Sequence, residues 1–231
     1  MKDLMSSVRF LRSSDVDALM ALEAKKWEME QAADAQTMLD RIECYPDLSI
    51  GAFDSRTGEL LASLFMKPID AAEVLEKQSW QDLATVQESE KGRKYRDLFG
   101  ISLSSRKPAA VEALMIFFWP YALKKGLRHI YLGSPMPGLR VWQQRFPDES
   151  VEEYIRLCKG NIPIDPQIRY YRTRGFTRLV TVKRDYFPHA DSLDYGAILR
   201  GEIPLHKMHM LWRVLPLKVL VQFRQQLFRM F

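Results

Sequence analysis

Apolar positions recur along this chain in two rhythms, and the change between them marks its elements. Residues 8–11 (VRFL) read as a short strand. Ser13, Ser14 and Asp15 then offer N-cap chemistry before Val16, Leu19, Met20 and Leu22, which fall at helical spacing. Residues 35–44 place Met38, Leu39 and Ile42 on one side of a second helix. Tyr45-Pro46 ends it, because proline disfavours helix in the residue before it. Residues 48–53 and 60–66, joined through the turn DSRTG, predict a hairpin. Residues 69–96 are rich in Glu, Lys and Gln, with Trp80 and Leu83 as apolar anchors, and predict a helical or mobile insertion. A strand at 98–103 leads to a long helix at 108–125, which Gly126 stops. A strand at 129–133, the loop SPMPG, a short helix at 152–158, a helix opened by Asp165-Pro166 and a strand at 177–184 follow.

A hairpin followed by strands that alternate with helices predicts an α/β protein: a mixed sheet, antiparallel at its start, flanked by helices. In the tail LWRVLPLKVLVQFRQQLFRMF, Val219, Leu220, Phe223, Leu227 and Met230 group on one side of a helix, and Lys218, Gln222, Gln225 and Arg229 on the other. Such a basic amphipathic helix can lie on an anionic membrane surface, dock onto a partner or pack on its own domain. Its apolar runs fall short of the ~20 residues that span a bilayer. The expected division is a domain over residues 1–205 and a tail over 206–231.

With 231 residues, 47% of them hydrophobic, the chain has material for a single sizeable core. Cys44 and Cys158 match no metal-ligand spacing, so no metal is expected and a reducing compartment is the default. The start MKDLMSSVRFLRSSD lacks an apolar signal region, which points to the cytoplasm, with the tail as a means of reaching the inner face of a membrane. A net charge of +5 favours anionic partners. Nucleic acid is disfavoured, because the basic residues are scattered and no binding signature accompanies them.

Two stretches carry candidate chemistry. RKPAAV, residues 106–111, opens the long helix, where free backbone N–H groups and the positive end of the helix dipole suit a phosphate. A plain strand-to-helix corner with proline at the first helical position is the alternative. IRYYRTRGFTRLV, residues 168–180, sets two tyrosines before a glycine that suits a left-handed cap. Either they pack around a corner, or one is an acid.

Together with the element order, these stretches resemble the GNAT superfamily of acyl-CoA N-acyltransferases. Arg106 to Val111 stand where the superfamily has (Gln/Arg)-x-x-Gly-x-(Gly/Ala), with Ala and Val in place of the usual glycines. Tyr171-Arg172-Thr173-Arg174-Gly175-Phe176 matches Tyr-x-x-x-Gly-Phe. The resemblance implies that Tyr171 protonates a departing thiolate. It also implies that Arg106, Lys107, Ala109, Ala110 and Val111 meet the cofactor phosphates, and that backbone over Ile101, Leu103 and Ser104 meets the thioester carbonyl.

A narrower likeness, over LEAKKWEMEQAADAQTMLDRIECYPDLSIGAFD, EEYIRLCKGNIPIDPQIRYYRTRGF and RDYFPHADSLDYGAILRGEIPL, is to the GNAT-like loading domains of polyketide synthases. It implies that Trp27 lines the acyl or acceptor pocket, with Glu30 beside it. Where the decarboxylating members use threonine, histidine and arginine, this chain has Ser134, Tyr171 and, nearby, Phe187. Malonyl decarboxylation is therefore not expected, and Ser134 joins Tyr171 as a catalytic candidate. The implied donor is acetyl-CoA, a longer acyl-CoA, or acyl-phosphopantetheine on an acyl carrier protein, which the missing glycines favour. The implied acceptor is a small molecule, an amine. The alternatives are S-acyl transfer to a carrier thiol, or a binding module without catalysis.

Overall fold

A computed structural model describes residues 6–24, 33–87, 92 and 94–228. Seven strands form one sheet: β1 (Ser6–Phe10), β2 (Ser49–Asp54), β3 (Leu60–Ile69), β4 (Asp97–Ser105), β5 (His129–Ser134), β6 (Arg178–Lys183) and β7 (Gly196–Glu202). Their order across the sheet is β1-β2-β3-β4-β5-β7-β6. Every pairing is antiparallel except β4 with β5. That parallel pair is joined by the long helix α5 (Pro108–Lys125), as a parallel connection requires.

The remaining helices, in chain order, are α1 (Val16–Glu23), α2 (Ala35–Cys44), α3 (Ala71–Glu76), α4 (Trp80–Ala84), α6 (Leu139–Arg145), α7 (Val151–Arg156), α8 (Pro166–Arg172), α9 (His209–Val214) and α10 (Leu217–Phe228). Leu19, Leu22, Met38, Ile42 and Leu83 pack α1, α2 and α4 on one face of the sheet with Phe65 and Phe99. Leu114, Phe118 and Leu123 pack α5 on the other with Leu64, Met66 and Leu98. Side chains alternate along β5: Ile130 joins the α5 cluster, Tyr131 the α1 cluster, and Leu132 the cluster under α8. Helices α5 and α8 therefore share a face.

Three elements differ from the pattern expected of the sequence. Strand β7 was not expected, yet it sits between β5 and β6; Gly196 to Gly201 are buried apart from the half-exposed Arg200, so the polar/apolar alternation that marks a half-buried strand is absent. Helix α6 forms directly after the SPMPG loop, although Leu139 is its one buried side chain. In the stretch expected as a helical or mobile insertion, α3 and α4 are helical and Leu83 anchors as expected, but it is partly core: β3 runs on to Ile69, and Val74 and Ala84 are buried too.

The tail folds back on its own domain. Leu220 is buried with the α5 cluster, and Phe228 meets Trp119 at 6.1 Å. The Lys124 ammonium donates to the carbonyls of Trp212, Arg213 and Leu215 at the end of α9. Among the described residues no helix is long and apolar enough to cross a membrane.

Candidate active site

β4 and β5 run side by side only over Asp97 to Gly100 and His129 to Leu132. Beyond that, residues 102–105 stay with β3 while Gly133 and Ser134 follow β7, so the parallel pair parts and opens a V in the sheet. Ile101 is a β-bulge: Phe65 pairs with Ser102 and Met66 with Gly100, leaving it over. The bulge resets which way the strand faces. Phe99 and Ile101 look toward α1, Leu103 toward α5, and Ser104 back toward α1. The Trp80 indole donates to the Ile101 carbonyl at 3.2 Å and holds the bulge in place. A cleft of about 1960 Å³ fills the V and reaches residues of both faces, with Ile101, Ser102 and Leu103 on its wall.

Helix α8 borders the cleft on the α5 side and is fixed at both ends. At its start the buried Asp165 accepts from the Gln167 and Ile168 amides at 2.9 and 3.1 Å. Its other oxygen accepts from the Tyr154 hydroxyl at 2.7 Å and the Gly138 amide at 3.1 Å. At its end Gly175 takes φ +88°. The Gly175 amide donates to the Arg172 carbonyl and the Phe176 amide to that of Tyr171, with the Tyr171 and Phe176 rings 5.9 Å apart. This is a Schellman closure, in which the residue after the glycine packs on the last turn. It orients Tyr171, which lines the cleft beside Gln167 and Arg174. Burial pushes the Tyr171 phenol up, with the Gln167 amide opposing, so it keeps its proton at neutral pH. Tyr170 is turned outward beneath the Arg174 guanidinium, 3.6 Å from its ring.

The N-terminus of α5 also meets the cleft, through Pro108, Ala109 and Val111, and no side chain caps it. Ala110 is packed inward. Arg106 turns the other way: its guanidinium pairs with Glu59 and its amide donates to Leu61. Lys107 is exposed at the N-cap. Neither lines the cleft, where among the described residues Arg140 and Arg174 are the cations on this side. Ser134 is fully buried outside the lining, and its hydroxyl donates to the Pro135 carbonyl at 2.9 Å. Trp27 and Glu30 lie outside the described residues.

Three groups on the other face went unnoticed in the sequence. Glu23 ends α1 at 3% exposure, and the Ser104 hydroxyl donates to it at 2.5 Å. Burial raises this carboxyl, while Ser104 and the charge of Arg41 oppose the rise. Arg41, on α2 at 5% exposure, lies over the Phe65 ring. Burial pulls it down to about 10, which leaves it cationic at neutral pH. Among the described residues its Nε has no hydrogen-bond partner. Tyr186 is pressed between Gly133 and Gly196, where a Cβ on either glycine would strike the ring. Burial drives its phenol up, and its hydroxyl also lacks a partner among the described residues. A signal for the first two existed: Glu23 follows Val16 by seven residues and Arg41 follows Met38 by three, so both fall on buried helix faces.

No family model and no curated protein matches the chain. Solved structures do. The GphF GNAT-like decarboxylase, in complex with isobutyryl-CoA, superposes with a TM-score of 0.68 at 22% identity, covering 85% of this chain and 99% of that one. The loading GNATL domain of CurA from Lyngbya majuscula gives 0.66 at 16% identity, covering 86% and 98%. This chain has the GNAT fold. The ribosomal-protein-S18-alanine N-acetyltransferase from Escherichia coli shares the GNAT fold at a TM-score of 0.51 and 14% identity, over 86% of this chain and 94% of that one. In this example of the GNAT fold, buried polar atoms without partners among the described residues gather at the V: Arg41 Nε, Ser102 Oγ and Tyr186 Oη all belong to residues of the cleft. Interiors rarely leave such atoms unsatisfied.

Proposed function

We propose that this chain moves an acyl group from a phosphopantetheine thioester to the nitrogen of a small amine by direct attack. One observation carries the reading: a buried carboxylate, Glu23, and a protonated phenol, Tyr171, stand on opposite faces of one opening in the sheet. The thioester supplies an acyl group activated for attack. The residues present fit such a donor. The uncapped start of α5 suits its phosphate, and Arg140 and Arg174 add positive charge. Glu23 accepts a proton from the amine as the C–N bond forms. Tyr171 holds at Oη the proton that the thiolate takes as the C–S bond breaks.

The isobutyryl-CoA in complex with GphF supports CoA as donor. An acyl carrier protein fits equally the exposed Arg169 and Arg172 of α8, since an acidic carrier complements a basic rim. S-acyl transfer to a carrier thiol is the second reading, favoured by the likeness to a synthase loading domain. Decarboxylation is not part of either, because Ser134 is turned into the core and Phe187 brings no charge. For the tail we propose contact with anionic lipid through α9, whose Met210 and Val214 are 69% and 82% exposed beside Arg213.

Thiol release tests the transfer, with acetyl-CoA, octanoyl-CoA and acyl carrier protein as donors and a panel of amines. The expected result is release that Tyr171→Phe slows about 100-fold, with thioester binding retained. Binding without release for every donor and acceptor would reduce the chain to a binding module.

A further inference from the structure

On the acceptor side of the cleft, two opposite charges face the same space without satisfying each other. Glu23 spends one oxygen on Ser104, and Arg41 acts on it only through space. Asp34 also acts on Arg41 through space, but it is exposed and its carboxylate caps α2 by accepting from the Thr37 amide at 2.7 Å. A guanidinium carries five N–H donors in a planar fork that matches a carboxylate. Burying it without an acceptor is costly, whether or not its charge is balanced from a distance. Its guanidinium carbon lies 5.7 Å from the centroid of the Phe65 ring, a cation–π contact that holds the charge at this face of the cleft.

We infer that the acceptor is an amino acid, whose amine meets Glu23 and whose carboxylate meets Arg41. The inference rests on the amine-transfer reading and narrows it. The pairing follows from charge. An amine without a carboxylate leaves the Arg41 fork unfilled, and a carboxylate without an amine meets the charge of Glu23. A zwitterion with the two groups a few bonds apart answers both at once. Ser104 then has a specific part: its hydroxyl holds the Glu23 carboxylate, leaving the second oxygen for the amine.

The experiment compares amino acids with their α-amides as acceptors in the thiol-release assay. The free acids should be preferred by about 100-fold or more in kcat/KM, the scale on which a site built to pair a polar group rejects an analogue lacking it. Arg41→Gln should collapse that preference toward one, and Arg41→Lys should restore part of it, with thermal melting to show that each variant folds. Equal use of acids and amides by the parent overturns the inference while leaving amine transfer standing. Saturation-transfer NMR of an amino-acid mixture over the parent protein reads the site without turnover. If no amine is acylated, the amine-transfer reading falls, and absence of amino-acid contact in that spectrum overturns the inference separately.

Discussion

Burial raises both Glu23 and Tyr171, yet it equips them for opposite tasks. A raised carboxyl is a stronger base once ionised, and a raised phenol keeps its proton in reserve. The acidic limb of kcat/KM should therefore rise as Glu23 ionises, with its midpoint above the ordinary glutamate value of about 4.3. Glu23→Gln should flatten that limb and lower kcat about 100- to 1000-fold, which a pH–rate series checks. The sign for stability is the reverse. A carboxyl raised in the folded state contributes most below the unfolded pKa, and that contribution is lost as pH rises through the folded value. Tyr186 adds a steric prediction. Gly133→Ala or Gly196→Ala should cost about 1–3 kcal/mol in a denaturant titration, because the new Cβ meets the ring and one of them must shift. At this scale the sequence was legible for Tyr171, whose spacing to Gly175 describes a helix cap. It was not legible for Tyr186, since no local pattern says that two distant glycines flank one ring.

Helix α8 owes its position to Asp165 more than to its own short length, seven residues being too few for independent stability. Asp165→Ala removes the cap and strands the buried Tyr154 hydroxyl, and should cost about 2–4 kcal/mol in thermal or denaturant unfolding. Because α8 carries Tyr171, the same variant should lose turnover even below its melting point. Elements with their own boundary signals were readable from the chain. Gly126 stops α5 in the left-handed conformation its type favours, and Pro108 opens it. The bulge at Ile101 was not readable, because it arises from the pairing of β4 with β3 and from a bond to Trp80, 21 residues away. That one extra residue brings Ser104 round to Glu23, so the polar half of the site depends on a feature with no sequence mark of its own.

Over the whole molecule, the tail shows how an amphipathic pattern under-determines its partner. The apolar stripe, for which a membrane, a partner and its own domain were all open, is divided: Leu220 is buried against the α5 cluster, while Phe223 is 48% exposed. Trp212, buried and bonded to the Leu205 carbonyl, should cost about 3–5 kcal/mol when replaced by alanine. Val214→Asp should leave the melting temperature unchanged and weaken sedimentation with phosphatidylglycerol vesicles; full retention of vesicle binding would remove α9 from any lipid contact. A last consequence follows from β7. This strand is the antiparallel partner of β5, yet more than sixty residues of chain separate Ser134 from Gly196. During synthesis, β5 leaves the ribosome with one edge bare and waits for residues 196–202 before the sheet can close. The β5 wall of the V depends on that pairing, while the β4 wall is held by β3, so a nascent chain shorter than this has only half its cleft and carries an unpaired strand edge prone to wrong pairings.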